Sequence, residues 1–287
     1  MPHICSCFPV LFSLLAVSRL SKTLRALGSL ARNPWLLNHV LAADTDAWQR
    51  QALRHAARWQ VGEYGLPETP LTNLLPPGGD TVHPFAFGGG GSLPTDLLLL
   101  RALARQKPGA SYFEIGTWRG ESAAAVADVA ATVHTLNLSA DELRQMGMAQ
   151  AYIDLHGHFS RPLPNVTHLH GNSATFNFGG LGPFDVVFID GDHRYEAVRR
   201  DTERVFAELL HPQSVVVWHD AAQQPGQPRW EVLTGLLDGI PATAAGQLYA
   251  VQNTLCALYS PTPLPAQVHQ PHAAPNPAFA VHVQPLR

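Results

Sequence analysis

From residue 111 to residue 260, segments in which hydrophobic residues follow a strand pattern alternate with segments in which they recur every three or four residues, as in a helix. Short apolar runs end at Gly, Asn, Ser or Asp, and amphipathic stretches with apolar positions three or four residues apart follow most of them. This order predicts an α/β fold, a Rossmann-like and mostly parallel sheet with helices on both faces. The predicted strands are SYFEIGT, VHTLNLS, VTHLHGN, FDVVFIDG, SVVVWHD, GQLYAVQ and LCALYS.

The pattern before and after this region differs. Residues 1–60 show helical spacing, typical of a packing or dimerisation element, and residues 62–93 are irregular and rich in Gly and Pro. A glycine run at 88–91 predicts a flexible loop that closes over a ligand site on the sheet. A helix follows from Pro94. We therefore predict an N-terminal helical extension with an irregular linker (1–84), a cofactor-binding domain (85–260) and a Pro/Ala/His-rich tail (261–287). Within the tail, residues 279–284 alternate and are compatible with an edge strand.

An apolar run at residues 7–17 has two interpretations. It has the length of a signal peptide, but no basic region precedes it, and Arg19, Lys22 and Arg25 follow it. It is short for a membrane span. We expect a helix that packs on the domain or lies on a membrane surface, and that stays attached to a cytoplasmic protein.

The amino-acid composition and net charge argue against some classes of function. Of the 287 residues, 46% are hydrophobic and 14% charged, and the formal net charge is −3, so no basic excess points to nucleic acid. The three cysteines, Cys5, Cys7 and Cys256, form neither a disulfide framework nor a CxxC pair. This pattern favours a reduced, cytoplasmic compartment.

Ligands of such sheets bind beyond the carboxyl ends of the strands. At the first end, EIGTWRGES joins strand to helix, with Gly116 and Gly120 allowing the backbone to approach a ligand and the helix offering free N–H groups. The spacing is not the G-x-G-x-x-G of dinucleotide sites, and Glu114 would repel a pyrophosphate. A cationic cofactor such as S-adenosyl-L-methionine suits the junction; a plain strand–helix turn is the alternative.

Two further strand ends carry amides and a hydroxyl. Asn137 ends the second strand, where nucleotide-binding folds hold ribose hydroxyls; otherwise it caps the next helix. Asn172 and Ser173 end the third strand and could face an adenine, or could equally cap a helix.

The strongest signal is FIDGDHRYE, in which a buried strand ends at Asp190. His193, on the following turn, is a candidate general base, unless Asp192 only caps a helix. On the neighbouring strand, Asp220 could share a divalent cation such as Mg²⁺ with Asp190, and His219 would suit a softer metal.

Taken in order, YFEIGTWRGESA, VHTLNLS, GNSATF, FDVVFIDGDHRYEAVRRD and VVWHD resemble class I S-adenosylmethionine-dependent methyltransferases over residues 85–260. Within them, the chain is most similar to the bacterial branch near macrocin-type and cephalosporin-hydroxylase-type O-methyltransferases. The resemblance implies a seven-stranded sheet whose last strand is antiparallel, and S-adenosylmethionine as the methyl donor. The cofactor-binding residues that it implies are Glu114, Gly116, Thr117, Gly120, Ser122, Asn137, Asn172, Ser173 and Asp190.

The resemblance also implies roles in the reaction. His193 and Asp190 would be catalytic, and Asp190 and Asp220 would hold a possible Mg²⁺, although His219 stands where metal-dependent relatives commonly have an acid. We expect methyl transfer to a hydroxyl of a small molecule, a sugar or a glycosylated metabolite. We expect no nucleic-acid partner, at most a peripheral membrane contact, and a possible homo-oligomer. A binding or scaffold protein with a degenerate pocket is the alternative, supported by Asn137 and His219. An NAD oxidoreductase is disfavoured by Glu114.

Overall fold

The structure, a computed structural model, describes residues 8–37, 45–270 and 278–286. The chain divides into two compact units, Met1–Thr45 and Asp46–Arg287. In the first unit, helix α1 spans Phe8–Arg32. In the part of the chain that is described, no helix is long and apolar enough to cross a membrane. Cys5 and Cys7 lie outside the described residues.

The second unit is built on one eight-stranded sheet, in the order β1-β9-β10-β6-β5-β2-β3-β4. Strand β10 is antiparallel to both of its neighbours, and the other pairs are parallel. The mostly parallel sheet with an antiparallel last strand is therefore confirmed. The strands are β1 Glu68–Thr69, β2 Ser111–Ile115, β3 Thr132–Asn137, β4 Val166–His170, β5 Phe184–Ile189, β6 Leu210–Trp218, β9 Gln247–Val251 and β10 Ala257–Ser260, and a separate ribbon pairs β7 Ala222–Gln224 with β8 Gln227–Pro228.

The edge of the sheet differs from the sequence prediction. An eighth strand, β1, pairs in parallel with β9, and Glu68 exchanges backbone hydrogen bonds with Gln267 on its other side. The prediction of an edge strand at 279–284 is wrong, because these residues form no strand. The edge beside β9 is already paired, and Val281 and Val283 are exposed.

Helices cover both faces of the sheet, as predicted. The two faces bury separate apolar clusters, one centred on Phe113, Val187 and Trp218 and the other on Tyr112, Phe188 and Leu258. Because successive strand residues point to opposite faces, these alternating positions specify both layers. The helices are α2 Thr45–Ala52, α3 Ala56–Trp59, α4 Pro94–Arg105, α5 Glu121–Val126, α6 Ala140–Gln145, α7 Gln150–Leu155, α8 Tyr195–Glu208 and α9 Trp230–Gly239, with 3₁₀ turns at Leu53–His55 and Leu71–Asn73.

The strand order reverses between β2 and β5, and this position fixes the site. From β2 the chain proceeds outward to β3 and β4, and from β5 it proceeds the other way to β6. In doubly wound sheets, ligands bind at such a switch point, at the carboxyl ends of the strands. The residues that follow β2 and β5, Gly116 and Asp190, lie at this point.

Candidate active site

A cleft of about 930 Å³ opens at the carboxyl ends of β2, β3, β4 and β5. A cofactor with a nucleoside part needs a pocket of this order. The cleft brings together six of the sequence-predicted residues: Gly116, Asn137, Asn172, Ser173, Asp190 and His193.

The two predicted cofactor glycines are needed for packing inside the protein. Gly116 has φ +101°, and a Cβ there would collide with the backbone carbonyl of Asp190. Gly120 has φ +79°, and a Cβ there would collide with the Ser160 hydroxyl. Gly116 also lines the cleft, but the first obstacle to a side chain is the β5 turn and not a ligand.

We expect Gly116→Val to abolish stable folding. A β-branched residue is strained at this φ and would force β2 and β5 apart, so we expect a loss of about 4 kcal/mol or more. Thermal unfolding followed by circular dichroism measures this loss. Gly89→Val is the matched control, because a Cβ at Gly89 meets nothing within 4 Å. A Gly116→Val protein as stable as the wild type would show that the turn relaxes freely.

Glu114 is fully buried and does not line the cleft. Its Oε2 accepts a hydrogen bond of 2.8 Å from the Tyr112 hydroxyl, whereas Oε1 is buried with no partner among the described residues. Burial raises the pKa of Glu114 to about 7, although the hydroxyls of Thr135, Ser122 and Tyr112 oppose the shift. An unpaired carboxylate oxygen in this position suits a positively charged ligand group.

The floor beside β5 and β6 is a cluster of three carboxylates around one imidazole. His219 Nε2 lies 3.1 Å from Asp96 Oδ2, and Nδ1 lies 3.1 Å from Asp190 Oδ1 and 3.4 Å from Asp220 Oδ2. Nδ1 lies within ion-pair distance of Asp190 and Asp220, but neither carboxylate is aligned to accept a hydrogen bond from it. Burial alone would lower the pKa of His219, but these carboxylates raise it well above its usual value, so the ring is an imidazolium.

Asp220 connects this floor to the predicted base. Its Oδ2 lies 3.2 Å from His193 Nε2, and its backbone has φ +53°, which aspartate tolerates better than most residues. Burial would raise the pKa of Asp220, but the hydrogen bond and charge of His219 lower it below its usual range. Asp220 is therefore an anion that can orient His193. The sequence-predicted Asp190, His193 and Asp220 are thus close together in the structure.

The ligand atoms near Asp190 and Asp220 determine which metal ion could bind there. Among the described residues, Asp190, His193 and Asp220 each offer one ligand atom, all within 4.8 Å of one another. Mg²⁺ prefers oxygen ligands, and a nitrogen with two carboxylates suits a softer ion better. His219 Nδ1 already lies 3.1 Å from Asp190 Oδ1 and 3.4 Å from Asp220 Oδ2, so a metal ion would have to compete with it for both carboxylates. These residues therefore do not fit Mg²⁺.

The part of the cleft beside Asn137 contains an acid that the sequence analysis did not single out. Asn137 and Glu142 both line the cleft. Glu142 Oε2 accepts hydrogen bonds from the backbone N–H and hydroxyl of Ser139, which begins α6, and these contacts lower the pKa of Glu142. A carboxylate is thus available five positions after Asn137 for the hydroxyls of a ribose.

Beside Asn172 and Ser173, helix α8 supports the loop that follows β4. Asn172 Oδ1 accepts the N–H of Ala174, a local turn contact. The Ser173 hydroxyl donates to Asp201 Oδ1 at 2.9 Å. Burial raises the pKa of Asp201, which also lines the cleft. Asp201 is another acceptor that the sequence analysis missed.

Aromatic rings and the glycine loop form another wall. Trp118 lines the cleft and lies over Tyr152, with ring centroids 4.6 Å apart. Gly90 also lines the cleft, and Arg119 donates to Gly89 O at 3.4 Å. The loop at 88–91 therefore contacts the turn that follows β2.

Six predicted residues do not line the cleft: Glu114, Thr117, Gly120, Ser122, His219 and Asp220. Thr117 hydrogen-bonds to Thr135 and lines a neighbouring cavity of about 360 Å³. Ser122 is buried in α5 near Glu114.

Four site residues were missed by sequence reasoning: Asp96, Trp118, Glu142 and Asp201. Glu142 had a readable signal, because Ser139 and Glu142 form a capping box. Asp96 is the third residue of α4 and accepts the Leu93 N–H, which is the usual role of such an acid. Nothing local indicates that it also contacts His219.

These features define a doubly wound cofactor-binding domain with an acidic floor. Residues 113–221 match the model of a family described as "Methyltransferase domain". For the region from β2 to the turn after β6, this match supports the predicted resemblance to class I S-adenosylmethionine-dependent methyltransferases. The narrower branch stays a prediction. No curated protein matches the chain.

Three solved structures have similar folds. One is the S-adenosylhomocysteine-bound methyltransferase PaMTH1 of Podospora anserina (17% identity, 60% of this chain and 80% of that chain, TM-score 0.41). Another is an O-methyltransferase of Bacillus cereus in complex with S-adenosylhomocysteine (18%, 75% and 90%, TM-score 0.40). The third is CalS10, an amino pentose methyltransferase of Micromonospora echinaspora (24%, 43% and 47%, TM-score 0.29). These similarities are too low to argue for a substrate.

Proposed function

We propose that the protein transfers a methyl group from S-adenosylmethionine to a hydroxyl of a small molecule. The observation that carries this proposal is the His193–Asp220 pair, 3.2 Å apart, next to Asp190 in the wall of the cleft. A histidine oriented by a carboxylate is the usual arrangement of a general base.

The charge of the cleft supports a cationic cofactor. Glu114 Oε1 is buried without a partner among the described residues, and Asp190 lines the cleft. An ammonium and a sulfonium are favoured in such surroundings, whereas a pyrophosphate is not. We assign the ammonium to Asp190, with the buried carboxylate of Glu114 behind it, the ribose hydroxyls to Asn137 and Glu142, and the adenine to the loop with Ser173 and Asp201.

The reaction needs little beyond positioning and one proton transfer. The cofactor supplies an activated methyl group. His193 takes the proton from the acceptor hydroxyl as the oxygen–carbon bond forms and the carbon–sulfur bond breaks, and the products are a methyl ether and S-adenosylhomocysteine. Asp220 holds the His193 ring and stabilises its protonated form. Trp118 and the loop at 88–91 exclude water on one side.

Binding tests the proposal. By isothermal titration, the protein should bind S-adenosylhomocysteine in the micromolar range, about −7 to −8 kcal/mol, and should not bind NAD measurably. Tighter binding of NAD would overturn the assignment. Binding without turnover on any hydroxylated acceptor would favour the degenerate scaffold, for which neither the fold nor the comparisons give support.

The acceptor is proposed at the level of chemical class. A sugar or glycosylated metabolite offers the hydroxyl that His193 would deprotonate. Incubation of the enzyme with isotope-labelled S-adenosylmethionine and a cell extract, followed by mass spectrometry, would identify the methylated molecule. Label on an amine or a carbon, and not on an oxygen, would contradict the proposed O-methylation.

A further inference from the structure

The N-terminal segment has a charge unlike that of the rest of the chain. Residues 1–43 contain no Asp or Glu and carry four cations, Arg19, Lys22, Arg25 and Arg32. The whole chain nevertheless has a net charge of −3, so the remainder is strongly acidic. This asymmetry points to an anionic partner for the segment and not for the domain.

Helix α1 places Lys22 and Arg25 on one side. Leu20, Leu24 and Leu27 are 63%, 61% and 57% exposed, and their spacing of four and three residues places them on one face. At about 100° per residue, Lys22 and Arg25 fall on roughly the opposite face. An exposed leucine stripe opposite a basic face is the pattern of a helix that lies in a membrane interface.

We propose that α1 binds the surface of an anionic lipid bilayer, with its leucine face towards the acyl chains and its cations towards the headgroups. The proposal is independent of the proposed methyltransferase function. The alternative occupant, a second copy of α1, could cover the leucines but offers no acid in residues 1–43 to pair with the cations. Each Lys or Arg near an anionic surface contributes enough attraction to change partition severalfold.

Vesicle co-sedimentation of the full-length protein tests the proposal. We expect binding to vesicles with roughly one third phosphatidylglycerol and little binding to phosphatidylcholine alone. Raising the salt from about 0.1 M to about 1 M shortens the Debye length from about 10 Å to about 3 Å, so binding should fall. Lys22→Gln with Arg25→Gln should weaken partition roughly thirtyfold, and Leu24→Ser with Leu27→Ser should also remove most of it.

The matched control is Arg50→Gln with Arg54→Gln, which removes the same charge from exposed positions outside α1. Circular dichroism establishes that every variant is folded. Equal binding to both kinds of vesicle, or unchanged binding of the Lys22→Gln/Arg25→Gln variant, would overturn the proposal. So would a leucine variant that dissociates a dimer in sedimentation equilibrium but still binds vesicles, because the leucines would then face a second copy.

Discussion

Replacement of His193 by alanine should lower turnover by roughly 10²–10⁴-fold, the usual effect of losing a general base. The structure places His193 Nε2 3.2 Å from the Asp220 carboxylate and exposes the ring in the cleft. Affinity for S-adenosylhomocysteine should hardly change, because the base faces the acceptor. Single-turnover kinetics with a methylated product measured by mass spectrometry, together with isothermal titration, separate the two effects.

His158→Ala is the control for this variant, because His158 is exposed and does not line the cleft. EDTA should leave the wild-type rate unchanged, since the donor set does not fit Mg²⁺. Full activity of His193→Ala, or activity abolished by EDTA and restored by Mg²⁺, would contradict the proposed base.

The central sheet could be predicted because each of its strands is defined locally. The runs ending at Gly116, Asn137 and Asp190 combine a buried strand with a turn residue, and the parallel order then requires their ends to meet. Strand β1 could not be predicted in this way. It has two residues, Glu68 and Thr69, and it forms only because β9 leaves an edge for it. Residues 279–284 alternate correctly but form no strand, so the local pattern fails there.

The site was predictable only where its residues follow strands. Asp190, His193 and Asp220 do, and the sequence brings them together. Asp96 and Asp201 come from two helices that are far apart in the sequence, α4 and α8, and each reaches the site through the packing of its helix on the sheet. No local pattern encodes such a contact. The packing role of Gly116 could not be predicted for a related reason, because the Asp190 carbonyl that confines it is 74 positions away in the chain.

Replacement of Glu114 by glutamine should weaken binding of S-adenosylhomocysteine roughly tenfold, because it removes a buried negative charge that attracts the cofactor ammonium. The proposal places this ammonium at Asp190, which lines the cleft, with the Glu114 carboxylate buried behind it. Since burial raises the pKa of Glu114 to about 7, wild-type affinity should also increase roughly tenfold from about pH 6 to about pH 8, as the ionised fraction grows. The variant should lose this dependence. Isothermal titration across pH measures both.

The raised pKa of Glu114 also makes the free energy of unfolding depend on pH. An acid whose pKa is raised in the folded protein stabilises the fold below its unfolded pKa, and this contribution is lost as the pH rises through the folded value. Each pKa unit is worth about 1.4 kcal/mol, so between pH 4.5 and about 7 the carboxyl should cost the wild type about 3 kcal/mol. Glu114→Gln should therefore gain about 3 kcal/mol relative to the wild type over this range in urea unfolding. Burying the neutral amide in this variant also changes the free energy of unfolding, but that change does not depend on pH.

Tyr112→Phe distinguishes ionisation of Glu114 from a general loss of packing. It keeps the acid and removes the hydroxyl that donates to Oε2 at 2.8 Å. Because that hydrogen bond favours the ionised form, the pKa of Glu114 should rise further, and the midpoints for cofactor binding and for stability should both move to higher pH. A displaced midpoint in Tyr112→Phe and an absent one in Glu114→Gln would identify the carboxyl as the titrating group. Unchanged pH dependence in both variants would place the cofactor ammonium elsewhere and leave Glu114 as a buried acid that binds no ligand.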